Sequence, residues 1–209
     1  MILCRPDGAF CIYVLAHGAG AGMRHPFLDA LANALAAERV ATLRYEFPYM
    51  EQRKKRVDPP DVAHARVRQA VAAASREQLP LFAGGKSYGG RMTSQAQALE
   101  PLAGVRGLAF VGFPLHPAGN QGVQRAAHLS DIHVPMLFLQ GTRDDLADLA
   151  LLRPVVEGLP GATLHVVEDA DHSFHVRKNQ TGRDDQEVIR ELARAFAAWA
   201  QERSAAFVR

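Results

Sequence analysis

The residues best suited to chemistry lie in "LFAGGKSYGGR", Leu81 to Arg91, where two short patterns overlap. A phosphate-binding loop G-x-x-x-x-G-K-[ST] ending at Gly85, Lys86 and Ser87 would need its first glycine at position 80. That position is Pro80, which has no N–H to offer a phosphate, and the stretch that follows it is apolar strand. The other pattern is G-x-S-x-G at Gly85, Ser87 and Gly89, a sharp strand-to-helix turn that exposes a serine hydroxyl. Small residues two positions either side relieve the crowding of such a turn. The helix that follows aims free N–H groups and a positive dipole end at the place where negative charge develops. An apolar strand before and a helical segment after, from about Tyr88 to Leu99, favour the serine reading.

A serine nucleophile needs a base, and the base needs a carboxylate to orient it. "LQGTRDDLAD" offers Asp144, with Asp145 as a rival, and "VVEDADHSFH" offers His172, with His175 as a rival. The order Ser87, Asp144, His172, each after its own strand, suits acyl transfer on a mostly parallel sheet. Two oxyanion donors complete the set: the backbone N–H of Tyr88, directly after the serine, and that of Ala19 in "AHGAG", where Gly18 and Gly20 permit close backbone approach. "HGAGAG" is no dinucleotide fingerprint, because the third glycine of that pattern would fall on Met23.

These residues need a frame. Apolar runs of strand length occur at "CIYVLAHG" (11–18), "VATLRYEFP" (40–48), "LPLFAGG" (79–85), "VRGLAFVGFP" (105–114), "VPMLFLQGT" (134–142) and "ATLHVVED" (162–169). Between them run helical periods: Phe27, Leu28, Leu31 and Leu35 in one, and Ala63, Val67, Ala70, Val71 and Ala74 in another. Asp58 before Pro59 and Pro60 suggests an N-cap for the second. The last helix places Val188, Leu192, Ala195, Phe196 and Trp199 on one face. Six such strands alternating with helices predict an α/β fold whose mostly parallel sheet is covered on both faces, with ligands at the carboxyl ends of the strands.

By these motifs the chain resembles small α/β-hydrolase-fold proteins of the KANL3/Tex30-like group. The carriers are "LAHGAGAGMRHPF", "LRYEFPYME", "GGKSYGGRM", "VGFPLHP", "VPMLFLQGTRD" and "DADHSF", spread over nearly the whole chain. The resemblance implies Ser87 as nucleophile, Asp144 as acid and His172 as base. Tyr88 departs from the methionine more usual after the serine, and "RDDLAD" replaces a more usual Asp-Pro. Relatives in bacteria are mostly named only as hydrolases, and animal relatives include scaffolds. The expected function is therefore a serine hydrolase of the carboxylesterase kind, with a catalytically weak or silent interaction scaffold as the alternative.

Composition sets further bounds. The 209 residues, 48% of them hydrophobic, suit one domain spanning 1–209. A formal charge of +2 asks for neither nucleic acid nor an anionic membrane as partner. The expected partner is a small acyl substrate, and oligomeric state is not legible. Two cysteines, Cys4 and Cys11, make no disulfide framework or metal pattern. His64, His116, His128, His133 and His165 are scattered, so neither cofactor nor metal is expected. With no signal-like or membrane-length segment, a cytoplasmic protein is expected. "RKKR" (53–56) follows the second long strand and should emerge on the active-site edge, where it could attract an anionic substrate. Lys86 is expected to pack or face away from the reacting atoms, Arg91 to form a structural ion pair, and His17 to organise its loop. Only nineteen residues separate Pro114 from Val134, too few for a helical lid, which predicts an open site without a lipase-like tunnel.

Overall fold

The structure is a computed structural model that describes residues 1–205; the last four residues of the expected 1–209 domain lie outside the described residues. Strands β1 (Ile2–Cys4), β2 (Cys11–Ala16), β3 (Val40–Tyr45), β4 (Leu81–Lys86), β5 (Val105–Val111), β6 (Met136–Gly141) and β7 (Ala162–Val167) form one sheet. Its order is β1-β3-β2-β4-β5-β6-β7. Only β1 runs antiparallel, against β3, and every other pairing is parallel.

The parallel arrangement follows from burial on both faces. Along β2, Ile12, Val14 and Ala16 enter one apolar layer, which is completed by α3 (Pro60–Ala74), α4 (Tyr88–Leu99) and α5 (Leu149–Glu157). Cys11, Tyr13 and Leu15 enter the other, completed by α1 (Pro26–Ala37) and α7 (Asp185–Ala205). Alternation along a strand sorts side chains between the two layers. Helix α7 docks where the sheet has no side chain in the way: a Cβ on Gly107 of β5 would meet the Trp199 ring at 2.6 Å. Phe196 lies 4.5 Å from Tyr13, ring centre to ring centre.

Three local expectations are revised. The sequence predicts six strands, and β1 is a seventh at the edge, too short at three residues to show a period. The β3 strand ends at Tyr45, because the Phe47 N–H turns to His17 Nε2 and Pro48 opens the short helix α2 (Pro48–Glu51). Asp58 does not cap α3: Pro59 holds the N-cap position, and the Asp58 carboxylate instead accepts the Tyr49 N–H at 2.9 Å.

The segment between β5 and β6 contains only a 3-10 stretch, Gln124–Asp131, so the fold carries no lid domain among the described residues. The carboxyl edge of the sheet thus stays open over β2, β4, β6 and β7. Among the described residues no helix is long and apolar enough to cross a membrane.

Candidate active site

Ser87 stands between β4 and α4 with φ 48° and ψ −114°, a conformation costly for a residue with a Cβ. The flanking glycines let the turn press against β2: a Cβ on Gly85 would lie 2.4 Å from the Ala16 carbonyl oxygen, and one on Gly89 2.5 Å from that of His17. The Ser87 N–H is held by the Val111 carbonyl at 3.1 Å. The side chain is thereby forced out at the carboxyl edge, directly before the α4 N-terminus.

His172 and Asp144 arrive from two other loops. His172 Nε2 lies 2.9 Å from Ser87 Oγ, and its Nδ1 lies 2.7 and 2.9 Å from the two Asp144 oxygens. A carboxylate accepting at Nδ1 fixes the tautomer that leaves the Nε2 lone pair for the serine proton. The Asp144 side chain is wholly buried. It also accepts from Gln140 Nε2 at 2.5 Å and from the Leu146 N–H at 2.8 Å, so the buried charge is fully paired. Asp145, by contrast, is exposed. His175 is exposed too and bonds Asp185 at 2.6 Å.

The loop after β7 that carries His172 is anchored at Asp169. Arg177 donates to its carboxylate through the backbone N–H and Nε, both at 2.8 Å, and through the second guanidinium nitrogen. These bonds hold the Asp169 carboxyl down to about 2.

Ala19 lines the space beside Ser87, and Tyr88 follows the serine directly. Gly20 donates its N–H to Tyr49 Oη at 2.9 Å and Ala21 donates to Gly18 at 3.2 Å. The Ala19 N–H has no protein acceptor among the described residues, and Tyr88 is the first residue of α4, where N–H groups lack a helical partner. His17, fully buried, accepts the Phe47 N–H at Nε2, so its Nδ1–H donates to the Gly18 carbonyl at 2.8 Å. Burial holds this imidazole below its ordinary pKa, which leaves it neutral and structural. Gly18 itself is not crowded, since a Cβ there would meet nothing closer than 3.6 Å; Gly20 is needed for its positive φ of 72°.

A cavity of about 630 Å³ opens from Ser87 and His172 between α1, α7 and the loop after β7. Its apolar lining includes Leu28, Ile189 and the stacked rings of Phe27 and Phe174, 5.8 Å apart, and His25, Asp185 and Gln186 add polar groups to it. The basic run Arg53 to Arg56 is exposed and contributes nothing to this wall. Arg91 makes no ion pair among the described residues; burial and the nearby Arg125 lower its pKa. Of the two expected outcomes Lys86 packs rather than faces away: it lies against the Phe174 ring and donates to the His172 carbonyl. Gln140 was not singled out from the sequence, although a lone amide in the apolar run "PMLFLQG" is a faint signal of an internal partner.

A family model described as an alpha/beta hydrolase domain matches residues 10–201. Among solved structures, the chain is similar to a dienelactone hydrolase from Anabaena variabilis, with TM-score 0.73 and 21% identity over 96% of this chain and 89% of that one. Similar too is Est1E from Butyrivibrio proteoclasticus, solved with ferulic acid, with TM-score 0.69 and 14% identity over 91% and 92% of the two chains. A serine hydrolase without a lid from Xanthomonas campestris matches with TM-score 0.64 and 20% identity over 93% and 87%. At these identities the likeness speaks for the fold, and residue roles rest on geometry.

Proposed function

Because the chain belongs to the alpha/beta hydrolase domain family, we propose that it is a serine hydrolase that cleaves a carboxylic ester or related acyl compound through Ser87, His172 and Asp144. The observation that carries this reading is the unbroken hydrogen-bond chain from Ser87 Oγ through both ring nitrogens of His172 to the buried Asp144.

In the first step Ser87 Oγ bonds to the substrate carbonyl carbon while its proton passes to His172 Nε2. The carbonyl oxygen becomes an oxyanion, and the N–H groups of Ala19 and Tyr88 are its donors. Asp144 stabilises the imidazolium. As the tetrahedral intermediate collapses, the alcohol leaves with the proton from His172, and Ser87 remains acylated. Water then attacks the acyl carbon as it gives a proton to His172, and when this second tetrahedral intermediate collapses His172 returns that proton to the departing Ser87 Oγ, freeing the acid and the neutral triad.

The cavity lining supports a narrower reading of the substrate. Phe27, Phe174, Leu28 and Ile189 offer apolar surface and stacked rings, which suits a neutral alkyl or aryl group on the ester. Ferulic acid bound to Est1E is a precedent for an aryl group on this fold. Within the family, the motifs around Ser87, Asp144 and His172 support our reading of the chain as a relative of the KANL3/Tex30-like proteins that acts as a single domain.

A fluorophosphonate probe tests the reading. The intact chain should gain one adduct, located by peptide mass at Ser87, and Ser87→Ala should gain none. Folded protein that takes no label would overturn the hydrolase reading and leave the interaction scaffold in its place.

A further inference from the structure

Lys86 is the one member of the "GKSYG" turn that the mechanism above leaves unused. It closes β4, and its Nζ donates to the backbone carbonyl of His172 at 2.6 Å and lies 5.5 Å from the centre of the Phe174 ring. The side chain uses a space opened by a glycine. A Cβ on Gly112 would lie 3.1 Å from Lys86 Nζ, 3.5 Å from Asp144 Oδ2 and 3.5 Å from His172 Cε1. One point in the structure therefore touches the ammonium, the acid and the ring of the base.

We propose that Lys86 is a positioning residue for His172: its ammonium fastens the loop bearing the base to the strand bearing Ser87 and sets a positive charge beside Asp144, so that full activity requires Lys86 in its charged form. The proposal rests on the Ser87–His172–Asp144 reading.

The reasoning is geometric. Ser87 Oγ and Asp144 hold the imidazole at its two nitrogens, but a ring hung on a loop keeps its place only if the backbone behind it is also held. Lys86 supplies that hold from the residue adjacent to the nucleophile, so the serine and the base share one tether. A charged donor makes a stronger bond to a carbonyl than a neutral one. The titratable groups facing the amine are Asp144 from the loop after β6, and Asp171 and His172 from the loop after β7. Burial pushes the Lys86 ammonium down to about 8, while Asp144 and Asp171 act in the opposite sense and favour the charge. Above about pH 8 the amine loses its proton, the tether weakens and the charge beside Asp144 is gone.

The test is the pH dependence of the second-order rate constant for labelling by a fluorophosphonate, measured for the wild type and Lys86→Met. The wild type should label at Ser87, with a rate that falls between about pH 8 and about pH 10. Lys86→Met should label about tenfold more slowly near neutral pH and show no alkaline fall. Rescue separates charge from shape: Lys86→Cys in a Cys4→Ser background, alkylated to an aminoethyl thioether, should regain most of the rate. Its alkaline fall should come at lower pH, because the sulfur withdraws electrons from the amine. Cys11 is buried, with its thiol pushed up to about 12, and should not alkylate. A Lys86→Met rate and profile equal to the wild type, with Ser87 still labelled, overturns this proposal alone. Absence of label on wild-type Ser87 overturns the hydrolase reading beneath it. Should Lys86→Met not fold, the aminoethyl comparison decides, since Lys86→Cys in the Cys4→Ser background that labels Ser87 at the wild-type rate both before and after alkylation removes the requirement for charge.

Discussion

At Ser87 the backbone is held where few side chains are tolerated, and the neighbours absorb that cost: Gly85 and Gly89 yield space to β2, and the Val111 carbonyl fixes the N–H. The same logic separates two adjacent carboxylates. Asp144 is buried with three kinds of donor on it, while Asp145 faces solvent. Asp144→Asn keeps the shape but offers His172 an amide that favours the wrong tautomer, so kcat should fall by about 10⁴. Asp145→Asn should stay within about twofold, since it removes an exposed charge of small effect. Ester hydrolysis by the two variants checks the assignment, and equal losses would reject it. In the sequence Asp145 and His175 remain rivals to Asp144 and His172, which the motif order and the resemblance favour, because each pair leaves its strand together. Which one turns inward depends on contacts with distant positions. Gln140 and Lys86 were illegible for the same reason, their partners lying in loops far along the chain.

Among the elements, the long helices were readable because an apolar face repeats every turn, and α7 lands on the sheet with Val188, Leu192, Phe196 and Trp199 buried, as its spacing requires. What the period does not reveal is how the loops are tied. β1 has three residues, and Asp58 serves α2 rather than α3. In the loop after β7, backbone N–H groups donate to Asp171 and Asp185, and Asp169, at φ 59°, takes donors from Arg177. Its carboxyl lies at about 2 in the folded chain against an ordinary 3.8. A depressed folded-state value means that the stabilisation is fully present above the ordinary value and is lost as pH falls from about 4 towards about 2. Asp169→Asn should therefore lower the urea midpoint at neutral pH, and the gap from wild type should close over that acid window. A gap that persists unchanged below about pH 2 would show that Asp169 acts by shape and not by charge.

Across the whole molecule, the carboxyl edge of the sheet gathers loops from β2, β4, β6 and β7, and the cavity beside Ser87 is closed by α1, α7 and the loop after β7 rather than by a lid. The lidless segment between β5 and β6 was legible from the nineteen residues between Pro114 and Val134. The cavity was not, because its wall joins Phe27 and Leu28 to Phe174 and Ile189 across most of the sequence. If this wall selects substrates, its depth should be adjustable from α7. Ile189→Trp fills the cavity from the helix side, away from the hydrogen bonds that hold His172. Burial of each methylene in such a site is worth about 0.8 kcal/mol, so excluding a group of several carbons should alter selectivity strongly. Two series of esters, one varied on the acyl side and one on the alcohol side, measure this. In one series the ratio of kcat/KM for the bulkiest member over the smallest should fall about 10- to 100-fold in the variant. A ratio unchanged in both series would mean that the apolar part of the substrate lies elsewhere along the open edge, and the basic run Arg53 to Arg56 would become the next surface to test.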